Sequence, residues 1–199
     1  MFFKVSLIEF KKFDEITKFR LINAFYFAFI VGLTSPVLSH LKGLLSVTTL
    51  SIIAIGSKLI MKTNDWFDKK FTLSGLYKLS VILNVAFLIS TTIYFYNPKT
   101  MILLDSLLGI IEFGIFSVYS IKLNEYVTRY YPETFKRFQK VRNATWADGT
   151  LAGLFVTMII SNFLDEKSII AIALFVWLIY VVRLIRFWNI YEEEKFATI

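Results

Sequence analysis

The 199 residues are 56% hydrophobic and only 19% charged, and phenylalanine alone supplies 21 of them. A soluble domain is about 45–50% apolar and about 25% charged, so this composition excludes an ordinary water-soluble enzyme and a disordered chain. Cysteine is absent and there is a single histidine. Thiol catalysis, a cysteine metal centre and a histidine dyad are therefore excluded, and we expect neither an enzyme nor a bound cofactor or metal.

Six apolar runs follow one another along the chain. Each is about 20 residues long, the length that an α-helix needs to cross a hydrocarbon layer of about 30 Å. The sequence therefore predicts an all-α membrane protein, a six-transmembrane-helix bundle that forms one domain over residues 1–199. The predicted spans are 21–38, 43–61, 76–96, 101–121, 145–164 and 168–185.

The basic residues divide unevenly between the two ends of these spans. Of the 22 Lys and Arg residues, all but Lys42, Lys99 and Lys167 lie in the leader, the 2–3 and 4–5 connections and the carboxyl-terminal segment, or at the neighbouring span ends. The positive-inside rule then predicts a plasma membrane protein, of the bacterial inner-membrane type, with both termini in the cytoplasm. The same distribution accounts for the net charge of +7, so the sequence indicates the lipid bilayer and not nucleic acid as a partner.

Two polar connections contain aromatic and apolar residues at regular intervals. Residues 1–20 mix Phe3, Leu7 and Phe10 with lysines, which predicts an amphipathic leader that lies in the membrane interface. In the 4–5 connection, apolar and aromatic side chains recur at helical spacing and predict a second surface helix, with Pro132 starting a turn or a new helix. These side chains are Val127, Tyr130, Tyr131, Phe135, Phe138 and Val141.

Two carboxylates fall within the fourth apolar run. Asp105 and Glu112 are seven residues apart, about 700° of helical rotation, so both project from one face of the helix. A carboxylate at mid-membrane costs about 2.5–3.5 kcal/mol, which favours a pair that binds a cation or proton during transport. The alternative is that Asp105 reaches water and Glu112 is protonated or hydrogen-bonded inside the bundle. Asn84, in the third run, is the third residue of this candidate site.

The fifth run contains a small-xxx-small step, Gly149 to Gly153, and the first run contains a weaker one, Ala24 to Ala28. Such steps let two helix backbones approach closely. The contact is ordinary packing if both helices belong to one chain and a dimer seam if they belong to two, and the sequence leaves both alternatives open.

The segment after the second run carries a family pattern. Asp65-Trp66-Phe67-Asp68-Lys69-Lys70 resembles the 2–3 loop signature of the major facilitator superfamily, Gly-x-x-x-Asp-Arg-x-Gly-Arg-Lys, and Asp68 makes it most similar to drug-efflux members. Leu107-Leu108-Gly109 and the run from Tyr131 to Asn143 are similar to the family's fourth span and 4–5 loop. Three residues depart from the pattern, where the family has Gly, Arg and a basic residue: Met61, Trp66 and Asp105.

The resemblance implies one six-helix half of a transporter whose full members have two such halves. Because alternating access needs two bundles, we expect a homodimer or a partner chain, and a small solute as substrate. Glu112, Asp105 and Asn84 would face a shared cavity, while Gly149, Gly153 and the second span would form the seam. Asp65, Lys69 and Lys70, with Asp68 in the same loop motif, would close the cytoplasmic side.

The sequence also supports two other functions. One is a non-transporting membrane subunit, with an immunity, defence or regulatory role, that docks a partner protein on its basic cytoplasmic loops through Lys136, Arg137 and Lys140. The other is the substrate-binding subunit of a multi-component importer, which has a similar length and span count but need not carry the loop pattern from Asp65 to Lys70.

Overall fold

A computed structural model describes residues 15–43, 45–61, 64–130, 132 and 135–189. These residues form seven α-helices and a short 3-10 helix, Ile93–Phe95, without any strand. The α-helices are α1 (Glu15–Lys42), α2 (Val47–Met61), α3 (Asn64–Lys70), α4 (Leu73–Thr92), α5 (Pro98–Tyr130), α6 (Phe135–Ile160) and α7 (Glu166–Arg186).

Within the described residues, four segments are long and apolar enough to cross a membrane: Thr17–Lys42, Leu73–Phe95, Pro98–Arg129 and Glu166–Arg186. The prediction of an all-α protein with several helices long and apolar enough to cross a membrane is therefore confirmed for the described residues. The other two predicted spans correspond to α2, which has only 15 residues, and to α6, whose first two turns are basic and dilute its hydropathy. Length and composition thus identify four spans where the apolar runs predicted six.

The helices extend further into the polar connections than the apolar runs indicated. α1 takes in residues 15–20 of the predicted interfacial leader, and residues 1–14 lie outside the described part of the chain. α5 continues to Tyr130 and α6 begins at Phe135, so the predicted surface helix of the 4–5 connection is split between the ends of these two helices. The physical reason is that the helical spacing of its apolar residues continues that of the flanking spans, and Pro132 interrupts it.

The chain divides into two compact units. The first takes in the described residues of Met1–Ser39 and Tyr131–Tyr180, which are most of α1, all of α6 and most of α7. The second takes in His40–Tyr130 with the described residues of Val181–Ile199, which are the helices from α2 to α5 and the end of α7.

In the first unit, α1 and α6 touch backbone to backbone. A Cβ atom at Gly149 would lie 2.7 Å from the carbonyl oxygen of Phe25, and one at Gly153 would lie 2.7 Å from the nitrogen of Leu33. Neither distance leaves room for a side chain, so only glycine permits this approach. Residue numbers in contact increase together along both helices, so α1 and α6 run in the same direction. Of the two alternatives for the glycine step, the structure shows packing within one chain.

A hydroxyl group crosses the same contact. Thr157 of α6 is 5% exposed, and its Oγ1 lies 2.9 Å from the carbonyl oxygen of Leu33 and 3.0 Å from that of Gly153 in its own helix. Pro36 lies inside α1, where its missing N–H leaves a backbone carbonyl one turn earlier without a helical donor. The bond from Thr157 therefore ties α1 to α6 beside the weakest point of the α1 hydrogen-bond ladder.

In the second unit, α5 packs against α4 on one face and α2 on another. The α4 contact has a core of Leu76, Leu83, Ile115 and Val118. The α2 contact is reciprocal: a Cβ at Gly56 would lie 2.9 Å from Ile110, and one at Gly114 would lie 2.8 Å from Ile60. Gly56 of α2 meets Ile110 of α5, and four residues later Ile60 of α2 meets Gly114 of α5. Residue numbers therefore increase together, and α2 and α5 run in the same direction.

Alanine at two glycines separates close packing from helix propensity. We expect Gly153→Ala to lower the free energy of unfolding by about 1–3 kcal/mol, because its methyl group overfills the contact with α1. Gly109→Ala is the matched control, since a Cβ there has no heavy atom within 4 Å. Its better helix propensity should raise stability by up to about 1 kcal/mol. Reversible unfolding in mixed micelles, followed by circular dichroism, measures both; equal effects would contradict the close contact.

Candidate ion-binding site in the α4–α5 hairpin

One hydrogen bond sets the register of the α4–α5 hairpin. Ser90 Oγ donates to Asp105 Oδ1 over 2.5 Å, and Ser90 is 4% exposed. The chain turns between the two residues through the 3-10 helix Ile93–Phe95 and reverses into α5. The pair lies towards the turn end of the hairpin. Because α4 and α5 are antiparallel, a residue n positions before Ser90 in α4 is level with the residue n positions after Asp105 in α5.

Asp105 and Glu112 belong to a single stripe of α5. Its members are separated alternately by three and four residues, the spacing that keeps side chains on one face of a helix. The stripe faces α4, because Asp105 bonds to Ser90 and because Leu108, Ile115 and Tyr119 belong to the apolar cluster around Leu76 and Leu83. From the turn end it consists of Asp105, Leu108, Glu112, Ile115, Tyr119 and Lys122.

Glu112 lies near the middle of the hairpin. It is about 10 Å along the helix axis from Asp105 and about 15 Å from Lys122, at 1.5 Å per residue. The register set by Ser90 brings it level with Leu83 of α4, in the apolar cluster. Half of a hydrocarbon layer is about 15 Å, which is about the distance along the helix from Glu112 to Lys122.

The two carboxylates have different surroundings. Asp105 has a hydroxyl donor in Ser90. Glu112 stands between Leu108 and Ile115, and within the described residues it makes no hydrogen bond or ion pair. A carboxylate oxygen accepts hydrogen bonds or binds cations, and a protonated one can donate. The stripe therefore offers one anchored and one unanchored carboxyl group, about two helical turns apart.

Asn84, the third predicted site residue, does not join this stripe. It is 1% exposed, and its Nδ2 donates to the carbonyl oxygen of Ser80 in its own helix over 2.9 Å. It follows Leu83 in α4, which puts it about 100° around the helix from the residue level with Glu112. The structure thus brings Asp105 and Glu112 together on one face and places Asn84 at a similar depth on the next.

Ser90 is a site residue that the sequence analysis missed. Its signal is the spacing of Leu76, Leu83 and Ser90, which recur every seven residues on α4 and so share one face.

A second missed set of polar residues lies at the start of α1, where Thr17, Arg20 and Asn23 are each more than nine-tenths buried. Arg20 had been counted only as a basic residue of the leader.

The loop motif forms the short helix α3, attached to the far end of the stripe. Asp68 forms an ion pair with Lys122, with 2.9 Å between its Oδ1 and the lysine Nζ. The Trp66 ring meets that of Phe71 edge to face, with centroids 6.0 Å apart. Lys69 and Lys70 are exposed, and the side chain of Asp65 lies outside the described set. Among the described motif side chains, Asp68 makes the ion pair to the transmembrane helix.

The predicted docking residues lie at the start of α6, in the first unit. Lys136, Arg137 and Lys140 are exposed, whereas Phe138 and Val141 on the opposite side of the helix are 1% and 5% exposed. The three cations therefore form an exposed basic face, which is defined here as Lys136, Arg137 and Lys140.

Comparisons with protein families, with curated proteins and with solved structures gave no match for this chain.

A charge swap tests the attachment of α3. We expect Asp68→Lys to destabilise the protein by up to about 1 kcal/mol, because the carboxylate of this pair is half exposed. Adding Lys122→Asp should restore most of the loss. The coupling should fade in 1 M salt, where charges are screened beyond about 3 Å. Unfolding of the two single variants and the double variant gives the coupling free energy, and additive effects would contradict the ion pair.

Proposed function

We propose that the chain is a six-span membrane protein, resembling one half of a major facilitator superfamily transporter, that moves a small solute. The observation that carries this proposal is Glu112, a carboxyl group at mid-depth on the α4-facing stripe of α5, with Asp105 and Ser90 about two turns away. An ionisable group at that depth is expensive and is a functional-site hypothesis by default. Cation or proton binding is the chemistry that a carboxyl pair provides.

The directions of neighbouring helices support six crossings. α1 and α6 pack in the same direction, and α2 packs in the same direction as α5. Successive crossings alternate in direction, so an odd number of them must separate α1 from α6. α4 and α5 supply two, and α2 supplies the third. The short α2 therefore counts as a span, and α6 counts as another because it lies along the apolar middle of α1.

This topology puts the basic groups on one side. The Asp68–Lys122 pair, Lys78 beside the ring of Trp188, and the hydroxyl of Tyr77 bonded to the Leu184 carbonyl all lie at the same end of the second unit. By the positive-inside rule that end faces the cytoplasm, with both termini, and the membrane is the plasma membrane. The turn end, with Asp105, faces outward.

Alternating access requires a second bundle, which we assign to a second copy of the chain or to another membrane protein. Gly149 and Gly153 are already covered by α1, so the seam predicted there from the sequence is not retained. α2 offers a different surface, because its side chains away from α5 are exposed. They are Val47, Ile52, Ile55 and Leu59.

Substitution of the two carboxylates tests transport directly. We expect Glu112→Gln to abolish cation- or proton-driven flux and Asp105→Asn to reduce it, because an amide cannot exchange a proton or balance a cation. The assay follows internal pH and Na⁺ in proteoliposomes of the purified protein, with imposed ion gradients as the probe.

Glu125→Gln is the matched control for Glu112→Gln. Glu125 is an exposed glutamate on the same helix, beyond Lys122, so it should leave flux unchanged. Unaltered flux in Glu112→Gln would refute the role of this carboxyl group. A protein without flux in any form, which still binds a soluble partner, would favour the alternative of a docking subunit.

The crossing of α2 can be tested by labelling, because the chain has no cysteine. Lys42→Cys and Lys70→Cys lie before and after α2, and both positions are exposed. We expect a membrane-impermeant maleimide added outside intact cells to label position 42 only, and labelling of position 70 to require opened membranes. Labelling of both from one side would contradict the six-span topology.

A further inference from the structure

The basic face at the start of α6 lies at a defined height above the membrane. α6 ends at Ile160, and the chain reaches an exposed turn at Asp165. There, the backbone N–H of Ser168 donates to the Asp165 Oδ1 over 2.9 Å. A layer of about 30 Å corresponds to about 20 residues of helix, which puts the opposite boundary near Thr145.

Trp146 marks the same boundary independently. It is 36% exposed, and its ring meets that of Phe27 with centroids 5.6 Å apart. Tryptophan is enriched where the hydrocarbon meets the headgroups. Lys140 then lies about 8 Å beyond the hydrocarbon, and Arg137 and Lys136 lie about 12–14 Å beyond it.

The headgroup layer extends about 5–8 Å beyond the hydrocarbon on each side, so Lys140 lies at its outer edge. Arg137 and Lys136 lie about one helical turn further out, and their long side chains can extend back towards it. The charge of this stretch of α6 is of one sign, because residues 135–147 contain four Lys or Arg residues and no Asp or Glu. α6 continues from the basic face to Trp146 without a break, so the cations cannot swing away from the surface as they could on a flexible loop.

From this geometry we infer that Lys136, Arg137 and Lys140 bind the phosphate groups of anionic phospholipids in the cytoplasmic leaflet. Lysine and arginine both donate to phosphate oxygens, and arginine can do so with two parallel bonds. Because α6 holds these cations beside the headgroup phosphates, charge complementarity favours lipid as their partner. The inference rests on the proposed function's six-span topology, in which α6 crosses, and the labelling experiment on α2 tests that topology separately from lipid binding.

The experiment measures retained lipid on the full chain. The protein is titrated in detergent with phosphatidylglycerol or with phosphatidylcholine, and bound lipids are counted by native mass spectrometry. We expect the unaltered protein to prefer phosphatidylglycerol and to lose the preference in 1 M salt. Each cation near a phosphate surface contributes roughly fivefold, so Lys136→Gln with Arg137→Gln and Lys140→Gln should weaken binding on the order of 100-fold.

The matched control removes three charges from the outer loops of the proposed topology. Lys42→Gln with Lys99→Gln and Lys167→Gln alters three exposed lysines and should leave phosphatidylglycerol binding nearly unchanged. Equal losses in both triple variants would show a net-charge effect and overturn the site. An unaltered protein without lipid preference, or a basic-face variant that keeps it, would also overturn the inference and direct attention to a protein partner. The salt dependence of the unaltered protein provides a readout even if a variant fails to fold.

Discussion

Close packing of one helix on another at glycine is the constraint on which both units depend. Lipid tails are as apolar as leucine, so burial of apolar surface gives little drive for helices to associate within a membrane. Packing must therefore come from approach distance, and glycine allows the shortest. Gly149 and Gly153 bring α6 onto α1, and Gly56 and Gly114 bring α2 and α5 together. Each of these pairs is parallel, so the same contacts that hold the helices also carry the information about topology.

The contact between α4 and α5 differs from the glycine contacts, because its interface contains polar groups. The seven-residue spacing that aligns Leu76, Leu83 and Ser90 meets the alternating stripe of α5 along its whole length. One end of that interface holds the Ser90–Asp105 bond and the other ends at the Lys122–Asp68 pair. Apolar packing fills the middle, except at Glu112. Within the described residues, the carboxyl group of Glu112 therefore stands without a hydrogen-bond or ion-pair partner between these two polar ends.

Local periodicity in the sequence predicts which residues share a helix face, but it does not predict which faces of different helices meet. Hydropathy locates the apolar helices, and a seven-residue separation is enough to put Asp105 and Glu112 on one face. Ser90 and Asn84 could not be ranked in the same way, because which face of α4 meets α5 depends on the turn at residues 93–97. The partners of Gly153, Gly56 and Gly114 lie on other helices for the same reason. Helix ends were misjudged where amphipathic segments continue a span beyond the apolar run, as at Tyr130 and Phe135.

The depth of a charge determines how it should be interpreted. A lysine near a helix end can extend its side chain to the headgroups, so Lys122 and the basic face of α6 reach water or phosphate at little cost. Glu112 has a short side chain, with about 10 Å of helix on the way to Asp105 and about 15 Å on the way to Lys122, so it has no such route in either direction. Its free energy must be lowered from within the bundle, by a proton, by a cation or by polar groups supplied when a second bundle closes over it. Each of these is a binding event, which is why the proposed function rests on this carboxyl group.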